Sequence, residues 1–528
     1  MPLRVQPATL RAAAMTCIAR HFDLICYAAG TPQRMAALIE SGDYLNVASP
    51  FDDLLVLSSS SRRCSLSLAA PALCEDLSEA IKSISHLRRH HLHALLSPST
   101  RRWAASGVAD LLVAIDLLPR RCKNLQKLDI SYVRHINPNA LISLAPVFTS
   151  LVSLNLRMTL TVDQMLGKIG EQCVHLLELN LTSTAITDRG MVMLCLSPDG
   201  SARCQALRRL CVADTWVTCS GAAVALLALP ALQHFDFDRM FEAMRILEAW
   251  EGTAGERVMA ALGVCSARRP LSPRPALALT TVTSCGEAGS GSHGPSVTAR
   301  LCPRAASLTV SGTPLPAEAL YPLMVLRNLT ALSLTACGAA CDFEAGVLPL
   351  LTALGHQLNS LILAKFFSVD VGAIGMACPH LVNFALSDVT AFELMNQKIS
   401  AESFQELQAL EIWSDADFII PTNVLQQLLL FSKNIRNILL KGVGIVTDEM
   451  FSEILKVNPM RQLSHLTLDN CHCVTHATVH RILDADNELC MLRIWSCYRI
   501  NKEANDIISQ RIANENMDIY LDWFPVDD

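Results

Sequence analysis

The chain has 528 residues, 51% of them hydrophobic and only 5% aromatic, with a formal net charge of -6. That length fits several ordinary domains or one long solenoid, with leucine and alanine building the core. The mildly acidic charge argues against a nucleic-acid binder, and 20 scattered cysteines in so long a chain argue against a small disulfide scaffold. The cysteine usage reads as mostly free, buried thiols in a reducing compartment, so a cytoplasmic or nuclear location is expected.

No apolar run approaches the roughly 18–20 residues that a membrane helix needs. The most apolar stretch, 221–232, is short and contains Pro230. At the N-terminus, Arg4, Arg11 and Arg20 precede the first acid, Asp23, in a faint likeness to a mitochondrial transit peptide. The same residues read as a structural helix from about Ala8. Leu10, Ala14, Cys17, Ile18 and Phe22 then share one face, and Pro7 stands just before it. Short helices are expected over 24–50, and a polar loop over Ser58 to Arg63. A further helix is expected from Pro71, with Glu75 and Asp76 in its first turn. The basic run Arg88 to His93 reads as a solvated face or lead-in helix. Val108 to Leu118 is an apolar helix expected to end at Pro119.

From Leu125 a pattern of three apolar positions, L-x-x-L-x-L, recurs. Leu125, Leu128 and Ile130 begin it, and sets starting at Leu151, Leu176, Leu207 and Leu232 follow. After an interruption, sets start at Ala305, Leu329, Leu358, Leu381, Leu407, Ile435, Leu463 and Leu489. Within each block, successive starts lie 23 to 31 residues apart. That is the period of long, helix-bearing leucine-rich repeats, each a short strand, a turn and an amphipathic helix. The sequence therefore predicts an α/β leucine-rich-repeat solenoid, a horseshoe of thirteen repeats. The segment DIYLDWF, with Ile519 and Leu521, serves as its C-terminal cap. Residues 1–120 form a helical N-terminal region, 121–250 and 305–528 the repeats. Residues 251–304, rich in Ala, Gly, Ser, Pro and Thr, read as a flexible or degenerate insertion with one degenerate strand at Ala276 to Val282.

Several repeats place a cysteine three residues after the last strand position: Cys337, Cys471 and Cys497. This resembles the cysteine-containing repeats of substrate receptors in cullin ubiquitin ligases, F-box proteins among them. The N-terminus is more similar to the Zyg-eleven and Zer-one type of receptor, which recruit elongin C and cullin-two. Thr9, Leu10, Ala14 and Ile18 match the spacing of that family's elongin-binding helix, with Ala14 where the family has Cys and Cys17 displaced by three. LAAPALCEDL, with Leu73 and Leu77, resembles its cullin-selecting segment, with Pro71 one position late. LLSPSTRRW resembles its lead-in to the first repeat. The family's armadillo repeats have no counterpart here. The resemblance implies adaptor contacts through Leu10, Ala14, Cys17, Ile18, Leu73 and Leu77. A Skp-type adaptor with cullin-one is the other partner it allows.

The cluster Cys471, His472, Cys473, His476 and His480 has the residue types of a metal site. Four ligands must converge for zinc, however, and Cys471 already occupies the repeat's own cysteine position. A packing role is expected, with no metal and no cofactor. No phosphate-binding glycine loop and no catalytic motif stands out, so no enzyme activity is expected. Strand side chains alternate, so residues between the leucines face the concave sheet surface. Early in the chain these are Lys127, Asp129, Asn155, Arg157, Glu178 and Asn180. Later they are Glu411, Trp413, Lys441, His465, Asp469, Arg493 and Trp495. The later group is the expected site for a protein substrate, because Trp and Arg are favoured interface anchors. The expected function is substrate recognition in a cullin-RING ligase. The alternative is a repeat scaffold or inhibitor-type binding protein unrelated to ubiquitination.

Overall fold

A computed structural model describes residues 10–22, 71–250, 276–286, 293–312, 315–336, 341–389, 391–392, 399–414 and 420–525. The helices expected over 24–50, the loop expected at 58–63, residues 251–275 of the expected insertion and Cys337 lie outside these residues. The described chain divides into two compact units. One comprises 10–237 with 246–250, the other 238–245 with 276–525.

Each unit is a ladder of parallel strands. The first has six strands, from Arg102–Ala104 to His234–Asp236. The second has ten in its main sheet, from Thr281–Cys285 to Tyr520–Phe524. All thirteen expected repeats carry a strand, and their apolar positions are buried: Leu128, Leu154, Leu179, Leu210, Leu466 and Leu492, for example, are almost completely enclosed. Burying one such side chain contributes roughly 1.5–3 kcal/mol. A repeat alone has no second layer to bury it against; the neighbouring repeats supply that layer.

Beyond the thirteen sets and the capping strand Tyr520–Phe524, two further strands join the main sheets among the described residues. Arg102–Ala104 pairs with Lys127–Asp129, so the lead-in is itself a rung. Thr281–Cys285 pairs with Ser307–Ser311. The second falls within the region read as insertion, where a strand was expected a few residues earlier. Val282 and Ser284 take its buried positions, and its β-branched run Thr281-Val282-Thr283 favours the pleat. The helix Gly294–Leu301 follows it.

Strand length separates the units. Strands of the first unit have three residues and those of the second unit's main sheet have five. In three of the six short strands the residue after the middle apolar position contributes. In the first unit it is Asp129, Asn155 or Asn180, whose Oδ1 accepts from the backbone N–H two residues on, at Ser131, Arg157 and Thr182, over 2.9, 3.2 and 3.0 Å. Such Asx turns draw the backbone out of the extended conformation. In the second unit the same position holds residues such as Glu411, Leu439, Thr467 and Arg493, and pairing continues for two more residues.

Adjacent repeats are also joined at their helix starts. Thr187, Thr218 and Thr475 are N-caps. Each donates its backbone N–H and hydroxyl to an aspartate at the first helical position of the preceding repeat: Asp163, Asp188 and Asp448 respectively. A glycine leaves room for that carboxylate. A Cβ on Gly190 would lie 2.3 Å from Asp163 Oδ1, and one on Gly221 2.3 Å from Asp188 Oδ1. Thr478 adds a second hydroxyl to Asp448 at 2.5 Å. Burial alone would raise the Asp448 pKa, but the hydrogen bonds from Thr478 and Thr475 outweigh it and hold the carboxyl below its usual range.

The N-terminal helices follow the expected order with two differences. The helix expected to end at Pro119 runs Leu111–Arg121, because a proline in the last turn breaks only one backbone bond. Glu75 is not in the first turn of Pro71–Ile84. It instead ties that helix to the first rung, accepting from Arg101 N–H (3.2 Å), Arg102 N–H (3.0 Å) and Arg102 Nε (2.9 Å).

Candidate binding surface

In the second unit the leucines point into the core, and the alternating residues form three straight rows on the open face of the sheet. The first row runs Ala409, Asn437, His465, Met491, Tyr520. The second runs Glu411, Leu439, Thr467, Arg493, Asp522. The third runs Trp413, Lys441, Asp469, Trp495, Phe524. All seven expected substrate-site residues therefore lie within four consecutive strands. Glu411 is exposed and the other six are half-buried. Adjacent strands lie about 4.8 Å apart, so Trp413 and Trp495 stand roughly 14 Å from each other with a lysine and an aspartate between them.

The third row exists because the strands are five residues long. Trp413, Lys441, Asp469 and Trp495 sit at the last paired position. An Asx turn at Glu411 or Arg493 would remove that position from the sheet. Arg157 shows the alternative. Expected on the sheet face, it lies past the end of the strand Ser153–Asn155, in the turn.

The electrostatics of this face centre on Arg493. Its guanidinium lies 5.6 Å over the Trp495 ring, and Nε is 3.7 Å from Asp522 Oδ2. That is an ion-pair separation, too long for a hydrogen bond, and Nε is enclosed with no hydrogen-bond partner. The Trp495 ring is thus held against a cation by its own strand. His465 Nδ1 lies 2.8 Å from Ser464 Oγ.

Two aromatic residues of this face were not anticipated as site residues. Tyr520 and Phe524, on the capping strand, are 63% and 55% exposed and extend the first and third rows. Their signal was the alternation in Tyr520-Leu521-Asp522-Trp523-Phe524. Leu521 and Trp523 continue the inward positions, and the Trp523 indole donates to the Ile500 carbonyl at 3.1 Å.

The cysteine–histidine cluster disperses. Cys471 is buried and its thiol reaches the Leu440 carbonyl at 3.4 Å. Its backbone N–H donates to Cys497 Sγ, also at 3.4 Å. Burial pushes the Cys471 thiol pKa up strongly, and that of Cys497 to about 11. His472 stacks on Tyr498 at 3.8 Å, while His476 and His480 meet edge to face at 5.9 Å. Among the described residues, no group of three or more His, Cys, Asp or Glu side chains could hold a metal ion.

The expected adaptor residues divide. In the helix Leu10–Arg20, Ala14 and Cys17 are exposed and Ile18 is half-buried. The inward face is Met15 and Phe22 instead, with Phe22 against His91 at 5.1 Å. Leu77 is only 4% exposed and belongs to the core of this region. The side chains of Leu10 and Leu73 lie outside the described residues.

Repeat period, register and buried positions define the chain as a leucine-rich-repeat protein. No protein-family model and no curated protein matches the sequence. Similar solved structures include an internalin of Listeria monocytogenes, 14% identical, covering 78% of this chain and 94% of that one with a TM-score of 0.35. Another is Rad7, from the yeast complex of Rad7 and Elc1, at 13% identity, 93% and 94% coverage and a TM-score of 0.38. A third is the leucine-rich-repeat protein LIC12759 of Leptospira interrogans, at 12% identity, 88% and 100% coverage and a TM-score of 0.33. Among the described residues, no helix is long and apolar enough to cross a membrane.

Proposed function

We propose that this chain is a non-catalytic protein-binding scaffold that presents a protein substrate to a cullin-RING ubiquitin ligase. The observation that carries the binding part is the row Trp413, Lys441, Asp469, Trp495 in register on adjacent strands, with Arg493 stacked against Trp495. Two aromatic anchors flanking opposite charges match the composition of interface hot spots. The adaptor part rests on the N-terminal resemblance and on the exposed Ala14 and Cys17. Such a subunit does no chemistry itself; it raises the local concentration of its substrate beside the ubiquitin-charged enzyme.

Affinity purification of the full chain tests this reading. Elongin C and cullin-two, or a Skp-type adaptor with cullin-one, should co-purify and be lost on Ala14→Asp with the thermal transition unchanged. Proteins retained through the open face should be lost on Trp413→Ala with Trp495→Ala while the adaptor stays. Recovery of neither adaptor, with Ala14→Asp leaving all partners unchanged, would leave a scaffold outside the ubiquitin pathway.

A further inference from the structure

The first unit carries an arginine cluster that the substrate face does not use. After the strands Lys127–Asp129 and Ser153–Asn155, Tyr132 and Met158 stand in the left-handed region, at φ 65° and 55°, as residues at the same position of other repeats do. Bulky residues rarely adopt that conformation. Ladder bonds hold it: Tyr132 N–H to the Arg157 carbonyl at 2.8 Å, and Met158 N–H to the Thr182 carbonyl at 2.9 Å. Each outward side chain then carries an arginine from the other repeat. The Arg157 guanidinium lies 5.7 Å over the Tyr132 ring, and Arg134 Nη2 is 3.6 Å from Met158 Sδ. Tyr132 is 63% exposed, and both arginines are exposed. Among the described residues neither arginine has a carboxylate partner, whereas Arg89, Arg102, Arg120 and Arg209 in the same unit do.

We infer that Tyr132, Arg134, Arg157 and Met158 form a docking site for a short acidic peptide segment that carries apolar side chains. The charge argument selects the acid. The Arg157 guanidinium lies over a ring and Arg134 gives one N–H to a thioether, which leaves their other N–H groups for a planar acceptor such as a carboxylate. The apolar flanks select a peptide. Leu160, in the repeat of Arg157 and Met158, and Trp216, at the same position two repeats on, are 45% and 74% exposed. The surroundings select a short segment. Asp129 stands on the first of these two repeats, and Glu178 and Asp214 on the two repeats that follow, so the positive charge is bounded by carboxylates along the ladder. A continuous polyphosphate backbone would meet these carboxylates as well as the arginines. This site is independent of the ligase reading.

Fluorescence anisotropy with the full-length chain tests it. The probe is a labelled peptide of about twelve residues alternating Asp and Leu, beside a Lys-and-Leu peptide and a single-stranded oligonucleotide of similar length. The acidic probe should bind, weaken about tenfold or more with Arg134→Ala and Arg157→Ala together, and weaken steeply as salt rises to about 0.5 M. Arg157→Lys should recover only part of the loss, because the ammonium neither stacks nor forks. The Lys probe, read on the unaltered protein, should not bind. Equal binding of both peptides, unchanged binding by the double variant, or tighter binding of the oligonucleotide would each overturn the site.

Discussion

The two units use one repeat and differ in where each strand stops. In the first, Asp129, Asn155 and Asn180 close Asx turns after three residues, and the following side chains become a loop edge bearing Tyr132, Arg157 and Met158. In the second, Glu411, Leu439, Thr467 and Arg493 hold the same position, and pairing continues. A third row of side chains then joins the sheet, and it is the row with both tryptophans. An Asx residue at this position thus favours the shorter strand without setting it alone, since Asp522 stands there in the five-residue capping strand. The Cys211 strand is the converse exception. It has no Asx residue and also stops at three, although Val212 N–H still donates to the Asp236 carbonyl and Ser183 N–H to the Ala213 carbonyl.

The largest test of this comparison separates what the units share from what distinguishes them. Leu466→Ala should lower unfolding stability by about 2–5 kcal/mol, as should Leu154→Ala in the first unit, because both are enclosed. Hydrogen exchange should show each loss concentrated in repeats adjacent to the substitution, since a solenoid couples mainly nearest neighbours. Gly190→Ala should cost about 1–3 kcal/mol in urea unfolding, because the new methyl must displace the Asp163 carboxylate that caps the next repeat.

Exchanging the strand terminators should follow. Arg493→Asn introduces the Asx acceptor into the second unit, and Asn155→Thr removes one from the first. Each should change stability by about 1 kcal/mol, the scale of one turn hydrogen bond. The first should also weaken binding at the Trp413–Trp495 row. Unaltered amide protection at Trp495 in Arg493→Asn would show that side-chain identity there does not set strand length.

The acid dependence comes from the aspartate links. The Asp448 pKa is lowered in the folded chain, so its contribution is present above the unfolded value of about 4 and fades as pH falls through the folded value. Asp448→Asn should cost about 1 kcal/mol at pH 7 and less in acid, so thermal transitions of the two proteins should converge as pH drops below about 4. The smallest effect belongs to Asp522→Asn. Its ion pair with Arg493 is part-exposed and longer than a hydrogen bond, so a thermal melt should move by less than about 1 kcal/mol equivalent.

Much of the architecture was legible before any coordinates. Thirteen strands were readable because a leucine every two or three positions, repeated at a near-constant period, has one economical burial: a rung against identical rungs. The cysteine–histidine run was legible as packing because Cys471 stood at the repeat's own position. Thr187, Thr447 and Thr475 could be seen as helix starts from the Thr-Asp or Thr-His step that precedes an apolar helix. Less legible were rungs lacking leucine, such as Arg102–Ala104 and Thr281–Cys285, whose assignment depends on the neighbour they pair with. Leu77 shows the same limit: its apolar spacing suits a docking face or a core equally, and only packing of the N-terminal helices makes it core.

The sequence alone determined the fold, the inward positions and the candidate face, because these follow from local period and alternation. Tertiary structure decided which side chains meet across repeats. Arg157 lies over Tyr132 and Asp448 beneath Thr475, while Arg493 lies over Trp495 of its own strand. Those pairs stand 2 to 27 residues apart in the chain, and the cross-repeat ones come together only when strand register places one repeat against the next.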